Sequence, residues 1–161
     1  MRGGALPPAL VSLALGLALA FAPRGIWRLS LVTLTVTATA LAIAPVPRGW
    51  LDFVFLGCWL SVAASAATVH LPGGLRPRWA FAASLNAGFW SGAVIALSGS
   101  RLDLLKALPC VLVLFPAALG LGSRAMIAAK VAASWLIAIA VLAATLQFLP
   151  VTPGYMPDHL D

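Results

Sequence analysis

Five apolar runs, each about the length of a bilayer-crossing helix, occupy most of this 161-residue chain, at about residues 5–22, 29–46, 51–69, 80–99 and 125–149. A hydrocarbon core about 30 Å thick needs roughly 20 mainly apolar residues of α-helix to cross it. A sixth stretch, 102–122, is apolar too, but it holds Lys106, Pro109 and Pro116 and ends in Gly120-Leu121-Gly122. It reads as a kinked sixth span or as a re-entrant segment, because lipid tolerates irregular backbone only where protein covers it. The expected fold is all-α: a polytopic transmembrane helix bundle of six spans, with five as the fallback, over residues 1–149. Residues 150–161 follow as an extended, Pro-rich C-terminal tail.

Composition closes off the other classes. Hydrophobic residues make up 62% of the chain and charged residues 9%, none of them Glu. A soluble domain carries about 25% charged residues, so ten basic and four acidic side chains cannot solvate a globule of this size. A soluble protein, a disordered chain, a disulfide scaffold and a coiled coil are all excluded. The net charge of +6 is scattered through short connections and makes no clustered basic face, so no nucleic acid is expected as a partner. The lipid bilayer is.

Breaker clusters separate the runs: Pro23-Arg24-Gly25, Pro45-Val46-Pro47-Arg48-Gly49, Pro72-Gly73-Gly74 and Ser98-Gly99-Ser100-Arg101. Connections this short make adjacent spans antiparallel and leave no room for a soluble domain between them. Trp27, Trp50 and Trp79 flank them, as suits residues that favour the membrane–water interface. Arg2, the apolar stretch 10–22 and Ala20-Phe21-Ala22 resemble a secretory signal, but Pro23 would hinder cleavage, so the run is read as a first span. With six spans, one side carries Arg24, Arg28, Arg76, Arg78, Arg124 and Lys130, and the other Arg2, Arg48, Arg101 and Lys106. The positive-inside rule then makes the first set cytoplasmic and both termini periplasmic, in a bacterial inner membrane suggested by Ala/Leu/Arg usage.

The most regular pattern is a stripe of small residues. Ala80, Ser84, Gly88, Gly92 and Ala96 recur every four residues along one helix face, and Gly57, Ser61 and Ser65 do the same on the preceding run. Small residues let helices approach closely where lipid offers no hydrophobic drive. The plainer reading is packing of spans three and four within the chain; the sharper one is docking of a membrane-protein partner or a second copy. Asn86, the only amide well inside a span, is expected to make an interhelical hydrogen bond, since an unpaired amide in lipid is costly.

A polar pathway has its own candidates: Ser30, Thr33, Thr37, Asn86 and Lys130. Ser30, Thr33 and Thr37 share a sector of one helix, whereas Thr35 and Thr39 lie opposite, and threonine hydroxyls also bond their own helix carbonyls. Lys130 and Lys106 sit close enough to a span end to snorkel, and Asp103 lies three residues from Lys106, where the two can pair. Cys58 and Cys110 read as buried hydrophobes. His70 reads as an interfacial residue, and Asp158-His159-Leu160-Asp161 forms no preorganised metal site.

No carboxylate lies mid-span, no His-x-x-x-His or aspartate pair is present, and no Gly-rich phosphate loop occurs. Proton coupling and intramembrane hydrolysis both depend on such groups, so no catalytic residue, metal or cofactor is expected. The chain reads as a non-enzymatic accessory or scaffold subunit of a larger inner-membrane complex; the alternative is a small-solute transporter or channel.

Overall fold

The computed structural model describes residues 5–98, 100–112 and 123–148. Among these residues the structure is helical, with short connections and no strand. The helices are α1 (Leu6–Ala20), α2 (Trp27–Ala42), α3 (Leu51–Ala67), α4 (Pro77–Ser98), the short α5 (Arg101–Ala107) and α6 (Ser123–Thr145). Single 3₁₀ turns lead into α2 and α3, and others extend α3 to His70, α5 to Val111 and α6 to Phe148. Among the described residues, four helices are long and apolar enough to cross a membrane: Arg24–Ala42, Arg48–His70, Pro77–Ser98 and Met126–Phe148.

The other two expected spans look different. The run 5–22 forms α1, whose 15 residues rise only about 22 Å. The run 102–122 is described as far as Leu112; residues 113–122, like residues 1–4 and the tail 150–161, lie outside the described residues. Two boundaries move for local reasons. α2 stops at Ala42 rather than near 46, because Pro45 and Pro47 push the residues before them out of the α region. α4 begins at Pro77 rather than near 80, because proline's fixed φ suits the first helical turn. At α5 a capping box forms between Ser100 and Asp103, with the Ser100 N–H donating to Asp103 Oδ2 at 2.9 Å; Asp103 thus serves the helix N-terminus.

α1 sits at the centre. Its sequence has no polar face, and Val11, Ala14, Leu15, Leu17, Ala18 and Leu19 are all buried, as befits a helix apolar on every side. α3, α4, α5 and the turn Leu108–Val111 surround it. A Cβ on Gly16 would come within 2.8 Å of the Val111 carbonyl oxygen, so this glycine is what lets the turn reach α1. The carbonyls at the end of α1 find partners outside the helix. Leu19 O accepts from Trp27 Nε1 at 2.9 Å and Phe21 O from the Leu75 N–H at 3.0 Å. The second bond ties the α3–α4 connection to the α1–α2 connection. It runs through Gly74, whose φ of +77° and close approach to Phe21 O leave no space for a side chain.

α2 and α6 pack on the outside through narrow stripes: Ser30, Leu34 and Ala38 on α2, and Ala133, Leu136, Ala140 and Ala144 on α6. Gly88 of α4 abuts Leu34 and Gly92 abuts Ala38, so α2 and α4 run parallel in a fixed register. Ser134 of α6 lies 3.4 Å from His70 at the end of α3, and the buried stripe of α6 begins at Ala133 and continues to Ala144. α6 therefore runs back along α3, antiparallel to it. This order gathers Arg24, Arg28, Arg76, Arg78, Arg124 and Lys130 at one end of the bundle. Arg48, Arg101 and Lys106 fall at the other, together with Asp52 and Asp103, the two acids among the described residues.

Candidate functional site

Both small-residue stripes end on α4, from opposite sides. Ala80, Ser84, Gly88 and Gly92 are buried, and Gly88 and Gly92 face α2: a Cβ on Gly88 would lie 2.8 Å from Leu34 O, and one on Gly92 2.5 Å from Ala38 O. The helices touch backbone to backbone. This face is covered within the chain by span two, where the spacing alone suggested span three. On α3, Gly57 abuts the Trp90 ring of α4, and Ser61 and Ser65 are buried beside it. Gly57 is the recess that admits a tryptophan.

The α3–α4 seam holds an interhelical side-chain hydrogen bond. Asn86 Nδ2 donates to Ser61 Oγ at 2.7 Å, and Trp90 Nε1 donates to Asn86 Oδ1 at 3.0 Å. An indole N–H can only donate, so Trp90 claims the amide oxygen and turns the nitrogen toward Ser61. Trp90 then continues an aromatic chain, edge to face with Phe53 at 6.0 Å and Phe89 at 5.1 Å, while Phe53 meets Trp50 at 6.1 Å. The residue types announce Asn86 alone; Trp90, four residues on and so on the same helix face, carries a spacing signal that the sequence reading does not use.

The candidate pathway residues do not converge. Ser30 is fully buried at the α2–α4 contact with no hydrogen-bond partner for its hydroxyl, Thr37 lies against Gly88, and Thr33 is half-buried on the same helix. Asn86 belongs to the α3–α4 seam. Lys130 is exposed on α6, near the level of the α3 C-terminus. Thr35 bonds its own Leu31 carbonyl at 2.9 Å.

Ser134 and His70, 64 residues apart, are a pair that sequence spacing gives no means of finding. Ser134 Oγ lies 3.0 Å from Lys130 O, an acceptor for its hydroxyl, and 3.4 Å from His70 Nε2, where the histidine tautomer sets which group donates. The pair links α3 to α6. Both cysteines are free, Cys58 buried and Cys110 half-buried. Among the described residues no three His, Cys, Asp or Glu side chains group as metal ligands would.

Two cavities flank the Asn86 link along the seam, both walled mainly by apolar atoms. One, of about 510 Å³, lies toward the Arg48 end between Leu41, Pro45, Trp50, Phe53, Phe89 and Trp90. The other, of about 550 Å³, lies toward the Arg24 end between Ser65, Thr68, Leu75, Trp79, Ala82 and Asn86.

No family model, no curated protein and no solved structure matches this chain. What the seam can do is therefore read from its own chemistry. Polar groups hold helices together there, and the space that remains suits aliphatic matter. A hydrated solute would have to shed its water against walls that offer few replacement hydrogen bonds.

Proposed function

We propose that the chain is a six-span, non-enzymatic scaffold or accessory subunit of a bacterial inner-membrane assembly. Span one is the segment that the surrounding helices shelter. α1 is short for a bilayer but surrounded by protein, with its last carbonyls bonded to Trp27 and Leu75, a setting in which a helix need not match the lipid thickness. α5 and the turn Leu108–Val111 lean on α1, with Leu104, Ala107 and Val111 buried and Leu102 and Leu105 exposed. The Arg24 end, with six cations and no acid among its described residues, is the cytoplasmic end.

The observation that carries the reading is the distribution of polar groups. Ser30, Asn86 and Lys130 lie at three separate places, and the interhelical bond between Asn86 and Ser61 serves packing. A carrier or channel needs such groups gathered on one hydrated path, as intramembrane polar residues that move solutes are. The small-residue stripes face inward, so partner contact falls to the outer helices, where α6 exposes Val131, Trp135 and Leu142.

Purification of the full chain from its native membrane in mild detergent, followed by mass spectrometry, tests this. A stoichiometric membrane-protein partner is expected. A monodisperse chain without a partner that passes a small solute in reconstituted liposomes would overturn the reading in favour of a carrier.

A further inference from the structure

The cavity at the Arg24 end of the α3–α4 seam has the position, depth and charge of a lipid site. Along α4 it runs from Trp79 to Asn86, seven residues or about 10 Å of helix rise. One leaflet contributes about 15 Å of hydrocarbon, half of the bilayer core, so the cavity reaches about two thirds of the way to the midplane. Its 550 Å³ falls within the roughly 300–1,000 Å³ of small-molecule sites. Asn86 closes the inner end and is already bonded through both its oxygen and its nitrogen, which leaves the cavity suited to an aliphatic chain.

Charge distinguishes this cavity from its neighbour. The lining residues Leu75 and Trp79 are flanked in sequence by Arg76 and Arg78, both exposed, and no acidic residue lies at this end among the described residues. At the opposite cavity the flanking charges are Arg48, beside Pro47, and Asp52, beside Phe53, one of each sign. Trp79, 57% exposed, marks the interfacial level at which a headgroup would sit.

We propose that this cavity binds one anionic phospholipid, with an acyl chain between α3 and α4 and the phosphate beside Arg76 and Arg78. The site is independent of whether the chain has a protein partner. It gives the bundle a lipid that fills the open part of its seam at the end richest in cations.

The test is native mass spectrometry of the full chain in mild detergent, titrated with phosphatidylglycerol and with phosphatidylcholine of the same acyl chains. One phosphatidylglycerol is expected to be retained, about tenfold or more tighter than phosphatidylcholine, from the worth of a basic residue near an anionic lipid surface. Replacing Arg76→Gln weakens it about fivefold and adding Arg78→Gln about thirtyfold in total, with phosphatidylcholine unchanged. Ala82→Trp, an exposed position on the cavity wall, removes retention with both arginines intact. Equal retention of the two lipids by the unaltered chain overturns the proposal, and that comparison needs no variant to fold. Undiminished phosphatidylglycerol retention in Ala82→Trp also overturns it, by moving the lipid to a general cationic surface.

Discussion

At the scale of single residues, the bundle depends on where a Cβ is missing, and the glycines differ in what blocks them. Gly92 faces the Ala38 carbonyl oxygen at 2.5 Å from an added Cβ, and Gly88 the Leu34 carbonyl oxygen at 2.8 Å. These obstacles are backbone and cannot rotate away. Gly57 faces the Trp90 ring, which can swing aside at the expense of its bond to Asn86 Oδ1. Gly25 has nothing within 4 Å. In a helix an alanine gains about 1 kcal/mol over glycine from backbone propensity, so a destabilising Gly→Ala change reports contact strong enough to outweigh that gain. Gly92→Ala is expected to cost about 1–3 kcal/mol net, the range for forcing extra methyl groups into a packed site, and Gly25→Ala to stay within about 0.5 kcal/mol of the parent. Gly57→Ala falls between them and shifts the tryptophan emission as Trp90 leaves its amide partner. Thermal unfolding in detergent, followed by fluorescence, measures all three. A Gly92→Ala protein as stable as Gly25→Ala would show that the α2–α4 contact is not backbone-tight.

At the scale of elements, existence was legible and address was not. The apolar runs and their breakers place α2, α3, α4 and α6 to within a few residues, because proline and glycine act locally through φ and through the missing N–H. The period-four stripe on α4 is equally local. Its partner is not: Gly57, Ser61 and Ser65 on α3 offer a matching small face, yet Gly88 and Gly92 meet Leu34 and Ala38 of α2, since a small face accepts any helix that fits. Nor does apolarity tell inside from outside in a membrane. α1 buries Leu15, Leu17 and Leu19, while α2 and α6 expose Leu29, Val32, Val36, Leu142 and Leu146 to the lipid side. Water sorts such residues inward in a soluble protein; lipid does not. The Asn86–Ser61 bond was partly readable, since an amide in lipid must find a partner, but which serine it finds depends on rotation of α3. The His70–Ser134 contact carries the placement of α6 and gives it a direct test. In a chain with Cys58→Ala and Cys110→Ala, His70→Cys paired with Ser134→Cys is expected to link through a short bifunctional thiol reagent, whereas His70→Cys paired with Thr145→Cys, eleven residues or about 16 Å farther along the helix, is not. Linking of the second pair with failure of the first would reverse the direction of α6.

At the scale of the whole molecule, the topology gathers the described basic residues into the same two sets that the connections divide along the sequence. Counted along the chain, the basic residues divide six to four. Placed on the bundle, Arg24, Arg28, Arg76, Arg78, Arg124 and Lys130 share an end with no described acid, while Arg48, Arg101 and Lys106 share theirs with Asp52 and Asp103. Insertion responds to Lys and Arg near the ends of spans in short loops, with acids contributing little; all of these cations lie in such positions, and the acids set the net surface charge left afterwards. The Arg24 end is therefore expected to face the cytoplasm, where anionic lipid headgroups also meet the largest positive field. Two glycines in open space, Gly25 at one end and Gly49 at the other, let the orientation be read without disturbing packing. In the background lacking both native cysteines, Gly49→Cys is expected to react with a membrane-impermeant maleimide on intact cells, and Gly25→Cys only after permeabilisation. The reverse pattern would turn the bundle over and place the Arg76–Arg78 cavity in the outer leaflet. Labelling of both positions from outside would separate the two connections onto one side, which the parallel pairing of α2 with α4 and the Leu75–Phe21 bond do not allow for a bundle that crosses the membrane.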